Sequence, residues 1–491
     1  MKISNLISLI AAGMLITAGS CTDAEMDRLN RNTSNPPAET VNARFQITDA
    51  IVSTGFSNIG GSYAWYVSSY NEQMFGDGNN LLMYAELRDP GVTAAATTFN
   101  NDWNTIYRNL QNIKQIIEKC GEDGLNAGQL DLLGMAETLW CIKWEIVTLL
   151  HGDIPCSEAL NANIKTPKLD KQEDIYAGLL KTIDSAISHL TEADREHLDN
   201  VGTQDLLYQG SAAKWLALAY GIKARLLLDG MYRYPDCLTA IDETAQKAFD
   251  LGFDGAILDI FDNPDRDNPW AAFMRSRKYL GANGTLAALL AENNDPRLDM
   301  YAYDTFNTGI LWAPAGDASL AVTTQQVGAP AWLSNTNAPL YILSKSELLL
   351  IQAEARARLG LDAATPMLEA MTCSYEEYRC VADFEYTELP TLPTPKATLN
   401  EVMRQKFIST AVTGPISFYN DLRRGRALGE EWLTPQNPNN TVAGANRWPL
   451  RLPYGNSDVA ANPNIAQAFG TGNDAGMYIF TEPIWLFGGT R

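Results

Sequence analysis

Apolar residues recur at helical spacing along much of this 491-residue chain. The clearest runs cover residues 99–119, 126–150, 171–190, 209–230, 345–359 and 396–411. In the run 345–359, the apolar positions follow at intervals of three or four and share one helix face: Leu348, Ile351, Ala355 and Leu359. Charged Glu347, Arg356 and Arg358 fall mostly outside that face. The pattern predicts a mainly α protein.

The helical runs follow one another in a way that suggests paired helices. Residues 209–230 carry large apolar side chains at helical spacing, and between them stand small residues that let a second helix approach closely: Ala212, Ala213, Ala217, Ala219 and Gly221. Paired helices of this kind resemble tetratricopeptide repeats, although the full consensus spacing is absent. We therefore expect a tetratricopeptide-like scaffold of helical hairpins. Hairpins without true repeats would produce the same pattern.

Two long stretches break the helical pattern and predict irregular loops. Residues 252–343 and 429–491 are rich in Asn, Asp, Gly, Pro and aromatic residues. Long loops on a rigid scaffold are often functional. In the first stretch, Trp270, Trp312 and Trp332 are candidate ligand-binding residues, because a flat ring can stack on a sugar or grip a peptide side chain. The alternative is that each tryptophan pins its own loop to the scaffold. The second stretch suits a terminal segment that wraps the helical body.

A further candidate segment lies near the amino terminus of the helical region. Residues Tyr63–Asn80 mix aromatic and amide side chains ahead of a glycine turn, and we take Tyr70 and Phe75 from it as candidate ligand contacts. The alternative for this segment is an early packed helix whose aromatic rings belong to the core.

The acidic composition of the chain limits the kinds of molecule that it can bind. The chain has 37 basic and 58 acidic residues, a formal charge of −21 and a pI near 4.6. Binding to a polyanion needs basic surface, so nucleic acid is not an expected partner. A hydrophobic content of 46% is that of a globular chain rather than a disordered one.

The first residues indicate export. Lys2 precedes an apolar run from Leu6 to Ile16 and small residues before Cys21, so residues 1–20 read as a signal peptide. A cysteine at this place resembles a bacterial lipobox, which predicts lipidation of Cys21; ordinary export with a free or disulfide-bonded cysteine is the alternative. Residues 21–40 then form a polar tether, and 41–491 a single domain. We expect the protein to contact the membrane through the lipid on Cys21 alone.

Signatures of catalysis and of metal binding are missing. The chain contains three histidines and no HExxH, GxSxG, P-loop or GxGxxG pattern. Asp259, Asp262, Asp265 and Asp267 could suggest calcium, but the glycine and the final glutamate of an EF-hand are absent, so a solvated acidic loop is favoured. We expect no cofactor and no metal site.

Several stretches in order resemble the SusD/RagB family. WCIKWEIVTLLHGDIPCSEAL (Trp140–Leu160) is similar to a family helix that ends in Gly-Asp-Ile-Pro, and LYILSKSELLLIQAEARARLG (Leu340–Gly360) to its Ala-Glu-Ala helix. EVMRQKFISTAVTGPISFYNDLRRGRALG (Glu401–Gly429) resembles its "QK" helix and Asp-x-Arg-Arg turn, and RLPYGNSDVAANPN (Arg451–Asn464) its C-terminal pattern, with Gly455 where Pro is usual. The lipobox-like start agrees with these matches.

The resemblance implies a SusD-like, α-rich fold and a role in nutrient uptake. Family members are lipoproteins of the Gram-negative outer membrane that face the cell surface and cover a SusC-like TonB-dependent transporter. They bind oligosaccharides or peptides, deliver them to that transporter and are not enzymes. Their ligand residues vary, so none is carried over to this chain. For the turn of Asp421, Arg423 and Arg424, a structural ion network is favoured over ligand contact.

Two other functions stay open at this point. A surface glycan hydrolase would need two carboxyl groups converging in a cleft, roughly 5–10 Å apart, and a chain with 58 acidic residues offers many pairs. A protein-interaction scaffold would use the helical array alone and bind no small ligand.

Overall fold

The computed structural model describes residues 40–77, 81–262, 266–304, 309–317, 327–380 and 391–491. The predicted signal peptide, Cys21, and all but the last residue of the predicted tether lie outside these residues. From Ala43 onward the described residues form one unit. Most of that unit is helical, with a few short strands, which confirms the predicted mainly α fold.

The first half of the unit consists of four short helices followed by five long ones. In order they are α1 (Ile47–Ser53), α2 (Ser62–Tyr70), α3 (Leu81–Glu86), α4 (Pro90–Thr93), α5 (Asn100–Cys120), α6 (Leu130–His151), α7 (Gln172–Arg195), α8 (Ala212–Asp229) and α9 (Leu238–Asp250). A π-helical turn, Thr54–Ile59, lies between α1 and α2.

In the second half, three short helices precede four long ones, and two short helices follow. In order they are α10 (Pro269–Arg277), α11 (Gly284–Glu292), α12 (Arg297–Tyr301), α13 (Lys345–Leu359), α14 (Ala364–Cys380), α15 (Leu399–Thr413), α16 (Pro415–Leu428), α17 (Asn456–Ala461) and α18 (Pro463–Phe469). Antiparallel strand pairs join β1 (Phe75–Gly76) to β3 (Leu280–Gly281), β2 (Ala256–Leu258) to β4 (Leu340–Leu343), and β5 (Thr441–Val442) to β6 (Ala445–Asn446).

All six predicted helical runs are present, as α5, α6, α7, α8, α13 and α15. Local signals set their ends. The Ser344 hydroxyl accepts a hydrogen bond from the Glu347 backbone N–H at 3.0 Å and caps the start of α13. Gly360, at a φ of 70°, ends the same helix in the left-handed conformation that glycine adopts without strain. Thr398 caps α15 in the same way as Ser344 caps α13.

Consecutive helices pack on one another along the scaffold. α5 packs on α6, α6 on α7, α8 on α9 and α13 on α14, while α7–α8 and α9–α13 contacts join one pair to the next. The predicted tetratricopeptide-like hairpin scaffold with long irregular loops is confirmed. Among the described helices, none is both long and apolar enough to cross a membrane.

Helix α13 differs from the single apolar face that its periodicity predicts. Its residues from Ser346 to Ala355 are all buried, because α9, α14 and α15 surround it. Glu347 and Glu354 are therefore buried although they lie away from the apolar stripe, and each must find a partner within the protein. Glu347 accepts a hydrogen bond from the Ser417 hydroxyl at 2.5 Å.

The residues after α16 lie along the helical scaffold. Trp448 donates its indole N–H to the Tyr70 carbonyl at 2.8 Å, the Leu452 N–H bonds the Leu150 carbonyl at 2.7 Å, and the Tyr454 hydroxyl bonds the Asp153 carbonyl at 2.9 Å. The first contact brings the segment that follows α16 against the C-terminal end of α2, where a cavity forms. The other two hold it against the C-terminal end of α6.

Candidate ligand-binding site

Two of the three candidate tryptophans belong to the core. Trp270 is 6% exposed in the first turn of α10, and its ring meets that of Trp65 edge-on at 6.5 Å. Trp332 is 4% exposed and packs edge-on against Tyr378 at 5.0 Å. Such burial agrees with the stated alternative for these two candidates rather than with ligand contact. Burying so large an apolar ring stabilises the fold, and each tryptophan pins its own loop.

The remaining candidates are Tyr70, Phe75, Trp312 and Cys21. Tyr70 is 1% exposed at the end of α2, and Phe75 is completely buried against Ala313 and Val327. The structure therefore places both rings in the core. This agrees with the alternative that the aromatic rings of this segment belong to the core. Trp312 keeps part of its surface in solvent, and Cys21 lies outside the described residues.

A cavity of about 410 Å³ opens where the residues after α16 meet the end of α2. We call it the amide cavity. Its floor contains Tyr70 and its neighbours in the chain, and its walls combine aromatic, amide and charged side chains: Trp432, Trp448, Asn71, Asn437, Asn440, Asn446, Arg426, Glu430 and Glu431. The volume falls in the range of about 300–1,000 Å³ that is usual for small-ligand sites.

Two indole rings form the aromatic walls of the amide cavity. Trp432 is partly exposed and lies directly on α16 at Gly425, where a Cβ atom would come within 2.5 Å of the ring. Only glycine at 425 leaves room for the indole in this position. Trp448 is 4% exposed, and the Arg426 guanidinium lies over its ring at 4.9 Å. Arg426 is therefore held by a cation–π contact at the edge of the cavity.

A buried carboxylate holds the loop that carries the amide groups. Glu72 is 1% exposed and accepts hydrogen bonds from the backbone N–H of Gln436 at 2.7 Å, from that of Asn437 at 3.0 Å, and from the Asn440 side chain at 3.1 Å. The Thr285 hydroxyl also donates to it. Glu72 itself has a φ of 61°, a strained conformation for a residue with a side chain, which these contacts stabilise.

Glu86 anchors the same loop from a second direction. Its carboxylate accepts hydrogen bonds from the Ser69 hydroxyl at 2.7 Å, from the Gly316 N–H at 2.8 Å and from the Asn437 side chain at 3.1 Å. Burial raises the pKa of Glu86 above its ordinary value, although Arg88 and these donors act to lower it. With two anchors, the loop is preorganised, so less ordering entropy is lost when a ligand binds.

An ion network lies behind the acidic wall of the cavity. Arg358 holds Glu430 through two hydrogen bonds of 2.7 and 2.8 Å, and it also binds the fully buried Glu354 at 2.9 Å. Glu354 contacts Arg424 at 2.8 Å and Lys406 at 2.5 Å. Burial alone would raise the pKa of Glu354, but these cations hold it below its ordinary value. The structural interpretation of the Arg-Arg turn is confirmed for Arg424.

The amide cavity is suited to holding a polar ligand rather than to metal chemistry. Within the described part of the chain, no three His, Cys, Asp or Glu side chains come together as metal ligands. Asp267 pairs with Arg275 and Asp262 with Arg266, while Asp265 of the predicted acidic loop lies outside the described residues. The cavity offers ring faces and edges, amide groups and one guanidinium, which bind by stacking and hydrogen bonding.

Comparison with known proteins decides the family. A SusD-like family model, described as "Starch-binding associating with outer membrane", matches residues 80–424. The chain belongs to the SusD-like family. The resemblance inferred from the sequence is therefore confirmed, and no protein with a curated description matches the chain.

Solved structures share the fold of this SusD-like protein. A SusD/RagB family protein from Bacteroides thetaiotaomicron is 32% identical, with a TM-score of 0.79 over 92% of this chain and 100% of the other. A chitin-binding protein is 21% identical, with a TM-score of 0.70 over 91% and 100% of the two chains. A chitin-binding SusD homolog from Flavobacterium johnsoniae is 16% identical, with a TM-score of 0.66 over 91% and 99%.

Sequence reasoning missed most of the walls of the amide cavity in this SusD-like protein. Of the candidates, Tyr70 alone lines it, and Trp432, Trp448 and Asn440 were not singled out. A signal was present, because residues 430–448 combine two tryptophans with many Asn and Pro residues, as the stretch 252–343 does. The composition of 429–491 indicated an irregular segment, but candidate ligand residues were taken from 252–343 and 63–80 alone.

Proposed function

We propose that this protein is a cell-surface nutrient-binding lipoprotein that captures a glycan in the amide cavity. The observation that carries the proposal is the convergence of Trp432, Arg426 and Asn440 on one preorganised cavity of about 410 Å³. Sugar rings present apolar faces that stack on indole, and hydroxyl groups that bond amides and guanidinium groups.

A glycan is favoured over a peptide as the cargo. The family description names starch, and two proteins of the same fold bind chitin by name, which supports a carbohydrate ligand for this chain. Of the four asparagines that line the cavity, Asn440 donates one amide hydrogen to Glu72, and we assign its second N–H to a sugar hydroxyl group. Binding of an oligosaccharide from a glycan panel would contradict the alternative of peptide cargo.

Capture without hydrolysis fits the carboxylates of the cavity. Glu72 accepts hydrogen bonds from three residues after α16, namely Gln436, Asn437 and Asn440. Glu430 accepts hydrogen bonds from Arg358. Both side chains are committed to holding the cavity in shape. A hydrolase needs one carboxyl group free to give a proton and a second free to act as nucleophile or base. Glu431 is the third carboxylate of the wall, and one carboxyl group cannot fill both roles, which supports a binding protein rather than a hydrolase.

Titration of the purified protein with oligosaccharides tests the capture site. We expect Trp432→Ala to weaken glycan binding by about 30-fold, equivalent to about 2 kcal/mol for a central tryptophan. Trp312→Ala, the matched tryptophan deletion outside the cavity, is expected to leave the affinity unchanged. Thermal unfolding confirms that both variants are folded. Loss of binding in the Trp312 variant with none in the Trp432 variant would contradict the site.

The proposal includes delivery of the cargo to a SusC-like TonB-dependent transporter of the outer membrane, with Cys21 as the lipid anchor. Association of the family with the outer membrane supports this location. The tagged protein is purified from gently solubilised outer membranes, and its partners and its N-terminal acylation are identified by mass spectrometry. A stoichiometric TonB-dependent barrel is expected. Recovery of the acylated protein alone would contradict the transport role.

A further inference from the structure

A second cavity lies on the other side of Trp432. It measures about 320 Å³, and we call it the α15 cavity. Polar and apolar side chains from α15 and the residues just before it line this space: Lys396, Thr398, Asn400, Glu401, Met403, Arg404 and Phe407. Leu289 of α11 also contributes. Trp432 and Leu433 belong to the walls of both cavities, so the cavities adjoin at these two side chains.

The partition between the two cavities is set by the backbone of α16. The Trp432 ring rests on Gly425, and Leu433 follows it in the same wall. The indole therefore presents surface to both sides, and a ligand that extends past its edge leaves one cavity and enters the other. The second space holds the side-chain types that sugars use, namely an aromatic ring, an amide, a hydroxyl and cations.

Hydrogen-bond donors without acceptors lie at both cavities. The Trp432 Nε1–H, in the shared wall, and the Arg404 Nε–H, in the wall of the α15 cavity, have no partner within the described structure. Leaving such a buried donor unpaired costs about 1–3 kcal/mol. Both nitrogens have essentially no exposed surface in these side-chain positions, so a ligand oxygen reaches them only after the indole and the guanidinium rotate.

We propose that the two cavities are halves of one binding site, and that the cargo is a linear oligosaccharide whose chain crosses the Trp432 indole from one to the other. The inference rests on the proposed function and adds the extent of the site. A chain that is held in both halves gains affinity from each, whereas a short sugar fills one half. Affinity therefore rises with chain length beyond the shortest oligosaccharide that binds.

The test blocks the α15 cavity and leaves the amide cavity intact. Asn400 is exposed and lines the α15 cavity, so Asn400→Trp fills it. Ala397→Trp adds the same side chain at an exposed position that is not part of the wall. Lys396→Trp, placed before the helix begins, repeats the blockage should Asn400→Trp fail to fold. Malto- and chito-oligosaccharides from the disaccharide upward are titrated calorimetrically against each protein.

We expect the wild-type affinity to increase with length, and Asn400→Trp to weaken the longest chains about tenfold or more while the shortest binder is unaffected. Ala397→Trp is expected to behave as wild type. Unchanged long-chain affinity in both blocking variants would overturn the inference and leave the proposed function standing. Binding of neither series to the wild-type protein would contradict the proposed function itself, and the inference with it.

Discussion

Glu377 is an acidic side chain that the fold holds away from water. It lies on α14 with 8% of its surface exposed and accepts a hydrogen bond from the Ser346 hydroxyl at 2.6 Å. Burial raises the pKa of Glu377 to about 7; Ser346 and Arg297 act to lower it, and Glu347 acts to raise it further. The folded protein therefore prefers the neutral carboxyl group at mildly acidic pH.

This raised pKa predicts a pH dependence of stability. In the unfolded chain Glu377 ionises near pH 4.3, so its contribution to folding is present below that pH and is lost as the pH rises through about 7. We expect the free energy of unfolding of the wild-type protein to fall between about pH 5 and about pH 8, and Glu377→Gln to lack this part of the decrease. Urea unfolding across that range measures both.

The neighbouring Glu376 supplies the control for this measurement. Its side chain is 42% exposed and pairs with Arg379 at the surface. Glu376→Gln is expected to keep the wild-type pH profile, because Glu377 stays buried in that variant. Identical profiles for wild type and Glu377→Gln would show that Glu377 does not carry the effect.

At the scale of elements, one glycine of α16 decides where the central indole of the site lies. Gly425 lies inside the helix, where alanine would ordinarily stabilise it by about 1 kcal/mol. A Cβ at this position comes within 2.5 Å of the Trp432 ring, which must then move. Helix stability and cavity shape therefore respond to the same substitution in opposite ways.

Gly425→Ala is expected to weaken glycan binding about tenfold, which corresponds to about 1.4 kcal/mol, without preventing folding. Displacement of Trp432 removes the stacking surface while the helix gains propensity. Gly178→Ala is the matched control, because Gly178 lies inside α7 with nothing within 4 Å of an added Cβ. That variant should bind as wild type. Calorimetric titration with thermal unfolding separates the two effects, and unaltered binding by Gly425→Ala would argue against the assigned role of Trp432.

At the scale of the whole molecule, Glu354 joins three long helices. It lies on α13 with no exposed surface and pairs with Lys406 of α15 and Arg424 of α16. Arg358 extends the network to Glu430 at the amide cavity. Removing one member of a buried ion network leaves its partners as uncompensated buried charges, which is more costly than the pairing itself is worth.

Glu354→Gln is expected to lower the free energy of unfolding by about 3–5 kcal/mol, because Arg424 and Lys406 remain buried without their carboxylate. Since the pKa of Glu354 is held low, the stabilisation by its carboxylate is present above about pH 4.3 and is lost as the pH falls. The glutamine variant should therefore lose less stability than wild type on acidification.

Asp184→Asn is the control: it breaks the surface pair with Lys223 and should change the free energy of unfolding by less than about 0.5 kcal/mol. Urea unfolding at neutral and acidic pH measures all three proteins, and equal stability of wild type and Glu354→Gln would contradict the network's role.

The helices could be predicted from the sequence because their causes are local. Apolar spacing within α5, α6, α7, α8, α13 and α15, and caps such as Ser344 and Thr398, act over a few residues. The family could be predicted as well, since its matching stretches keep their order along the chain. Neither conclusion requires knowing which distant residues meet.

Only the tertiary structure decided which aromatic rings are available to a ligand. Trp270 packs edge-on against Trp65, far away in the chain, and the loop of Asn440 is held by Glu72, which is 368 positions earlier. Burial and cavity shape arise from such long-range contacts, so periodicity and composition carry little information about them. The amino-acid sequence by itself thus determined the helices, the fold class and the family, whereas the site exists only where folding brings the ends of α2 and α16 together.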